Sequence, residues 1–264
     1  MLSKTALITG GSMGIGLDLA VLAARDGYDC ILVSRNEPRL YELKKVLETR
    51  YRINVHVFAI DLAKHDAATR LTKLIDEAGL TVDFLINNAG FGTSGAFADL
   101  DAKTEADEVR LNVNTLTELT KAYLPGMLER DHGYVLNVAS VAAFQPGPYM
   151  AVYYATKAYV LSLTEALHAE VKGSGVHVSV LCPGPTDTNF FNRAGSELSF
   201  SKMPSHLVAF FGYKGVMNNK RVIIPGLSNQ LMVGVAKLMP RALSLEVLRR
   251  VQKPSDGTSA ESTT

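Results

Sequence analysis

The chain has 264 residues, 47% of them hydrophobic and 20% charged, with a formal net charge of +1. That balance suits a soluble globular protein, and the length fits one large α/β domain or two small ones. Charges of both signs are well mixed, which argues against a nucleic-acid binder built on a basic stripe and against a solvated acidic tail.

The opening MLSKTALITG is apolar only briefly before glycine at residue 10, too short for the core of an export signal. The apolar runs all fall well short of the ~18 residues that span a bilayer. A cytosolic protein is expected. In chain order, TALITG ends a short strand and GIGLDLAVLAARDG follows as a helix. CILVSR, NVHVFAID, VDFLINNAG, GYVLNVAS and VHVSVLCPG read as further strands. Between them EPRLYELKKVLETRY, ATRLTKLIDEAG, a long stretch from about Lys103 to Arg130, and YMAVYYATKAYVLSLTEALHAEVKG read as helices. Near-continuous apolar strands alternating with amphipathic helices imply a parallel sheet covered on both faces, and right-handed crossovers favour the doubly wound form.

After Gly184 the alternation loosens, and PTDTNFFNRAGSELSFSKMPS has no clear period. HLVAFFGYKGVMNN then reads as a helix, KRVIIPG as a last strand and LSNQLMVGVAKLM as a terminal helix. No repeat or linker divides the chain, so residues 1–252 form one expected domain. The end, KPSDGTSAESTT at 253–264, is small and polar and is expected to be disordered. Cys30 and Cys182, the only cysteines, fall in expected strands and read as free buried thiols. His132, His168 and His177 have no metal-ligand spacing, and no metal is expected.

Gly10, Gly14 and Gly16 lie between the first strand and the first helix. Glycines there permit a tight turn whose backbone amides approach a pyrophosphate at the helix N-terminus. Ser12 and Ile15 share that turn and complete its side of the expected cofactor site. At the tip of the second strand, where a carboxylate would hold a ribose 2′-hydroxyl, the chain has Ser34 and Arg35. Arg35 suits a 2′-phosphate, with Arg39 one turn on as a possible helper, so NADP(H) is favoured over NAD(H). The competing reading makes Arg35 a solvated surface residue and gives Glu37 the acidic role.

PYMAVYYATKAYVL at 148–161 holds four tyrosines and one lysine. Lys157 follows Tyr153 by four residues and Tyr154 by three, and both spacings share a helical face. Spacing alone leaves either tyrosine open as its partner.

With TGGSMGIG at 9–16, NNAG at 87–90, LNV around Asn112, Ser140 after NVA, YYATK at 153–157 and PGPTDT at 183–188, the chain resembles the short-chain dehydrogenase/reductase superfamily. The likeness covers roughly residues 4–190. It implies a Rossmann-type sheet, here expected as seven parallel strands in the order 3-2-1-4-5-6-7, and it selects Tyr153 over Tyr154. It also implies a catalytic set of Asn112, Ser140, Tyr153 and Lys157. Asp61 and Leu62 would lie against adenine, Asn88, Ala89 and Gly90 beside the cofactor, and Pro183, Gly184 and Thr188 at the nicotinamide. Lys157 would also hold the nicotinamide ribose, and Asn112 a water that relays protons to Lys157. Tyr154 is bulkier than the residue the family usually has there, which leaves its packing partner open. Tyr149 and Tyr159 read as packing or pocket residues.

A free phenol, with a pKa near ~10, is a poor acid or base at neutral pH, and a nearby ammonium improves it. The expected reaction interconverts a ketone and a secondary alcohol, with Tyr153 as general acid/base and Ser140 holding the substrate oxygen. A segment within 188–220, carrying Phe190, Phe191, Leu198, Phe200 and Met203, is expected to cover a small hydrophobic substrate. By resemblance, that substrate is a 3-oxoacyl thioester, a steroid or another apolar carbonyl compound. A silent NADP(H)-binding sensor or scaffold is the alternative, though no member of the catalytic set is missing. Relatives suggest a homodimer or homotetramer. The amphipathic stretch QLMVGVAKLMPRALSLEVLRRV, with Lys237, Arg241, Arg249 and Arg250, is assigned to pocket or subunit packing ahead of a membrane surface.

Overall fold

The sheet is built from seven short apolar runs, traced in a computed structural model that describes residues 4–188 and 202–252. The strands are β1 (Thr5–Thr9), β2 (Asp29–Ser34), β3 (Val55–Ala59), β4 (Phe84–Asn87), β5 (Gly133–Val138), β6 (Val176–Leu181) and β7 (Val222–Ile223). All pair in parallel, in the order 3-2-1-4-5-6-7, as expected. A two-residue ribbon, Thr186–Asp187 with Met203–Pro204, stands apart from this sheet. The expected cover residues Phe190, Phe191, Leu198 and Phe200 lie outside the described residues, as does the tail at 253–264.

Strand alternation divides the core into two layers. Ile8, Cys30, Leu32 and Phe84 point to one face, under α1 (Gly14–Arg25), α2 (Glu37–Tyr51) and α7 (Ser205–Met217). Leu7, Ile31, Val33 and Leu85 point to the other, under α3 (Ala67–Glu77) and α5 (Leu116–Glu129). All five residues of β1 are buried, which is why the strand reads as an unbroken apolar run.

The long helix expected from Lys103 to Arg130 is interrupted. α4 (Ala102–Val109) runs into one π-helical turn, Arg110–Thr115, before α5 begins. Asn112 sits in that wider turn, a local feature that apolar periodicity does not reveal.

A buried polar ladder fixes α6 (Ala151–Glu170) against the sheet. Asn87 Nδ2 donates to Asn137 Oδ1 at 2.9 Å and to Thr120 Oγ1 at 3.0 Å, while Asn137 Nδ2 donates to Thr164 Oγ1 at 3.0 Å. The strand ends of β4 and β5 are thereby tied to α5 and α6 through side chains that cannot find water.

The C-terminal part departs from the expected single helix. α8 (Leu227–Leu238) stops at Met239, whose extended backbone (ψ 133°) is what a following proline imposes. A further helix, α9 (Arg241–Gln252), begins after Pro240. None of the described helices is long and apolar enough to cross a membrane.

Cys30 lies in β2 and Cys182 just past β6, with β1, β4 and β5 between them, and both thiols are free and buried. Burial pushes both up to about 12, so thiolate is scarce at neutral pH. Alkylation followed by mass mapping is expected to find no intrachain bridge and to label both thiols only on unfolding. An intrachain bridge would contradict the strand order.

Candidate active site

At the carboxyl end of β1, the three glycines are needed for different reasons. Gly10 (φ +67°) and Gly14 (φ +54°) adopt the left-handed backbone that other residues resist. Gly16 is held by contact: a Cβ there would lie 2.3 Å from Gly10 O and 2.4 Å from Asn88 Nδ2.

Thr9 and Asn88 join this turn to the end of β4. Thr9 Oγ1 accepts from the amides of Asn88 (2.9 Å) and Ala89 (3.0 Å) and donates to Ile86 O. Asn88 Nδ2 donates to Thr9 O at 3.0 Å and to Gly10 O at 3.3 Å. α1 then starts at Gly14 with no side-chain cap from Met13. A glycine turn lining the cavity in front of the N-terminus of α1, which has no side-chain cap, fits a pyrophosphate.

The turn opens into a cavity of about 990 Å³. Gly10, Ser12, Gly14, Ile15, Arg35, Asp61, Leu62, Asn88, Ala89, Gly90, Ser140, Tyr153, Lys157, Pro183, Gly184 and Thr188 all line it. Of the expected site residues, Gly16 and Asn112 do not. Gly16 lies behind the turn. Asn112 donates to Phe91 O (2.8 Å) and Thr156 Oγ1 (3.1 Å) and accepts from Phe91 N (3.2 Å). Its side chain clasps the loop after β4 to α6.

At the adenine end, Arg35 is exposed on the rim and forms no ion pair among the described residues. Arg39, the possible helper, is paired instead with Glu42 at 2.9 Å. Asn36 caps α2 by accepting from Arg39 N, and Glu37 enters the first helical turn without lining the cavity. Asp61 turns one carboxyl oxygen to Ala63 N at 3.1 Å.

At the other end, Ser140 caps a short 3₁₀ turn, Val141–Phe144, and lies within hydrogen-bonding distance of Pro183 O at 3.4 Å. Tyr153 and Lys157 are 9% and 5% exposed. Burial raises the Tyr153 phenol well above its usual range, opposed by a hydrogen bond with Ser140. Lys157 donates to Val138 O at 2.9 Å, and its ammonium stands 5.7 Å from the Tyr153 ring centre. Burial pushes the ammonium down to about 8, with Glu108 pulling the other way. The protein alone therefore holds Tyr153 as a neutral phenol with its proton in place.

The far wall of the cavity is formed by residues whose placement the sequence did not show. Tyr154 packs across Gly147, where a Cβ would come within 2.3 Å of its ring, and its hydroxyl accepts from Gln252 Nε2. Ser228, Asn229 and Met232 of α8 and Leu248, Val251 and Gln252 of α9 close the far wall. Their periodicity shows an amphipathic segment but not which surface it covers; only the bulk of Tyr154 hinted at an unusual partner.

Residues 4–199 match the family model of short chain dehydrogenases, and the chain belongs to that family. Its members are oxidoreductases acting on carbonyl and alcohol groups with a nicotinamide cofactor. Rat very-long-chain 3-oxoacyl-CoA reductase is 31% identical over 187 residues, 69% of this chain but only 59% of that protein. A short-chain dehydrogenase from Sphingobium yanoikuyae, solved with NADPH, is 31% identical, with a TM-score of 0.80 over 90% of this chain and 97% of its own. The bulky-bulky ketone specific alcohol dehydrogenase of Comamonas testosteroni is 30% identical, with a TM-score of 0.77 over 92% of this chain and 97% of its own.

Gly16→Ala forces a methyl group onto Gly10 O and Asn88. Overpacking of this kind costs about 1–3 kcal/mol. Denaturant unfolding is expected to show that loss, and titration with NADPH a weakened affinity.

Proposed function

We propose that the protein reduces apolar ketones with NADPH, or oxidises the corresponding secondary alcohols, using Tyr153 as the proton donor and acceptor. The observation that carries this reading is one cavity with the glycine turn and Arg35 at one end and Ser140, Tyr153 and Lys157 at the other. Arg35, exposed and without an ion pair among the described residues at a strand tip that lacks a carboxylate, supports a 2′-phosphate. The NADPH held by the Sphingobium relative supports the same choice. Phe91, Met150, Met232, Leu248 and Val251 give the substrate side an apolar lining. The bulky ketones and long-chain 3-oxoacyl thioester named for two relatives have that character.

The bound cofactor would supply or accept the hydride. In the reducing direction, Tyr153 gives its proton to the substrate oxygen, which Ser140 also holds by a hydrogen bond as charge gathers there. Lys157 steadies the phenolate left behind, because an ammonium favours the charged form. Asn112 positions the site by fixing the Phe91 loop to α6. A homodimer or homotetramer through α5 and α6 belongs to the same reading, supported by the partly exposed Leu128 and Tyr159 on these helices.

Two experiments test the assignment. Arg35→Ala is expected to weaken NADPH binding by about 1.5–3 kcal/mol, the worth of a charge-assisted contact, and to leave NADH nearly unchanged. Equal losses for the two cofactors would return Arg35 to a structural role. Tyr153→Phe keeps the ring, so folding and NADPH binding are expected to persist while ketone reduction falls by roughly 10²–10⁴-fold. Tyr154→Phe is expected to change turnover only modestly, and the reverse pattern would reassign the proton donor.

A further inference from the structure

Behind the cavity, α4 presents two carboxyls one turn apart. Glu108 is 0% exposed and Glu105 9% exposed, and neither forms an ion pair among the described residues. Both converge on Thr93. Its Oγ1 lies 2.6 Å from Glu105 Oε1 and 2.9 Å from Glu108 Oε2, and its amide donates to Glu108 Oε2 at 3.0 Å.

Proton counting limits what this arrangement can be. A threonine hydroxyl carries one proton and can donate it fully to one carboxylate. For both short contacts to be hydrogen bonds, the other carboxyl must bring its own proton and donate to Oγ1. Two carboxylates so close and so buried, with no ion pair among the described residues, also resist double ionisation. The pair therefore holds one proton and one negative charge. Glu105 Oε2 and Glu108 Oε1 are buried with no hydrogen-bond partner among the described residues.

The triad is joined to the candidate active site. Glu108 stands one turn before Asn112, and the loop between is bonded to both: Phe91 to Asn112 and Thr93 to Glu108. The charged and titratable groups that act on Glu108 are Glu105 from its own helix and Lys157 from α6, and Tyr153 of α6 feels Glu108 in turn. A Cβ on Gly90 would lie 2.9 Å from Asn112 Oδ1 and 3.4 Å from Lys157 Nζ, which places the ammonium at this same junction.

We propose that Glu105, Thr93 and Glu108 form a buried proton-sharing unit that sets the charge of Lys157 and, through it, the readiness of Tyr153 to give up its proton. It rests on the reading of Tyr153 and Lys157 given above, and its members are positioning residues. Burial pushes the Glu108 carboxyl up to about 7, eased by its bonds from Thr93 and raised by Glu105. Lys157, held down to about 8, loses its charge just above the range in which the triad gains its second negative charge. The added carboxylate delays that loss, since an opposite charge favours the ammonium. The two groups titrate as a pair.

The test uses the full chain and its Glu108→Gln variant, whose amide still accepts from Thr93 but cannot ionise. Infrared pH-difference spectra of the wild type are expected to show a carboxylic acid carbonyl band at pH 6 that fades by pH 8 and is missing from the variant. In NADPH-dependent reduction of an apolar ketone, the variant's alkaline limb is expected to move down by about one pH unit, the lower end of the effect of a lost opposite charge. That is roughly tenfold less turnover at a fixed pH on the limb. A wild type with no acid band at pH 6, or a folded variant with an unmoved limb, overturns the proposal. Should Glu108→Gln not fold, Glu105→Gln decides: Glu108 keeps its burial but loses its like-charged neighbour, so its acid band is expected to fade at a lower pH than in the wild type, and an unmoved midpoint rules out a shared proton. The infrared titration needs no turnover. Failure of the catalytic reading, shown by full activity in Tyr153→Phe, is thereby distinguishable from failure of the triad.

Discussion

The clamp between Thr9 and Asn88 is the constraint from which the site follows. Two parallel strands, β1 and β4, end side by side, and the turns that follow them border the crevice at the carboxyl end of the sheet. Thr9 Oγ1 takes two amides from the turn after β4, and Asn88 returns two hydrogen bonds to the carbonyls at the end of β1. The turns are thereby fixed in contact, leaving no room for a side chain at Gly16. Once they are fixed, the N-terminus of α1 faces the cavity, and Ala89 and Gly90 face it from the other side.

The Tyr153 end of the cavity depends on the sheet in a different way. Tyr153 and Lys157 belong to one helix, but the ladder from Asn87 through Asn137 to Thr164 determines where that helix lies. Lys157 is placed further by Val138 O, from the end of β5. Burial then opposes the charged form of both side chains, so the resting protein carries its proton on the phenol. The cost of burying the ammonium is offset partly by Glu108, a carboxyl that would be unfavourable there on its own.

Much of this was legible in the sequence because it rests on local rules. Apolar runs such as TALITG and CILVSR are strands buried on both faces, and their alternation with helices requires crossovers in parallel. The glycine turn is likewise local, whereas the spacing to Lys157 left Tyr153 and Tyr154 both open and the family likeness chose between them. Spacing could not show that Arg39 pairs with Glu42, an ordinary helical neighbour that competes for the guanidinium. The π turn at Asn112 was hidden because α4, at 8 residues, is too short to establish a phase against which a register shift would show. Thr93 with Glu105 and Glu108 could not be found from spacing, because a loop threonine meets a helix only through the tertiary fold. The ends of α8 and α9 were equally opaque: an amphipathic pattern names a buried face but not its partner.

The wall formed by those last helices has one more consequence. Among the described residues, α8 buries only Val233 and α9 only Ser244, whereas α1 buries five residues. Segments with so little apolar contact belong to the parts of a protein that open locally at low free-energy cost while the core stays folded. The molecule is accordingly graded: a densely packed sheet fixes the glycine turn and Tyr153, and a sparsely buried rim of two helices, linked to α6 through Gln252 and Tyr154, closes the far wall of the cavity. Brief detachment of either helix would open that wall without disturbing the distances between Ser140, Tyr153 and Lys157.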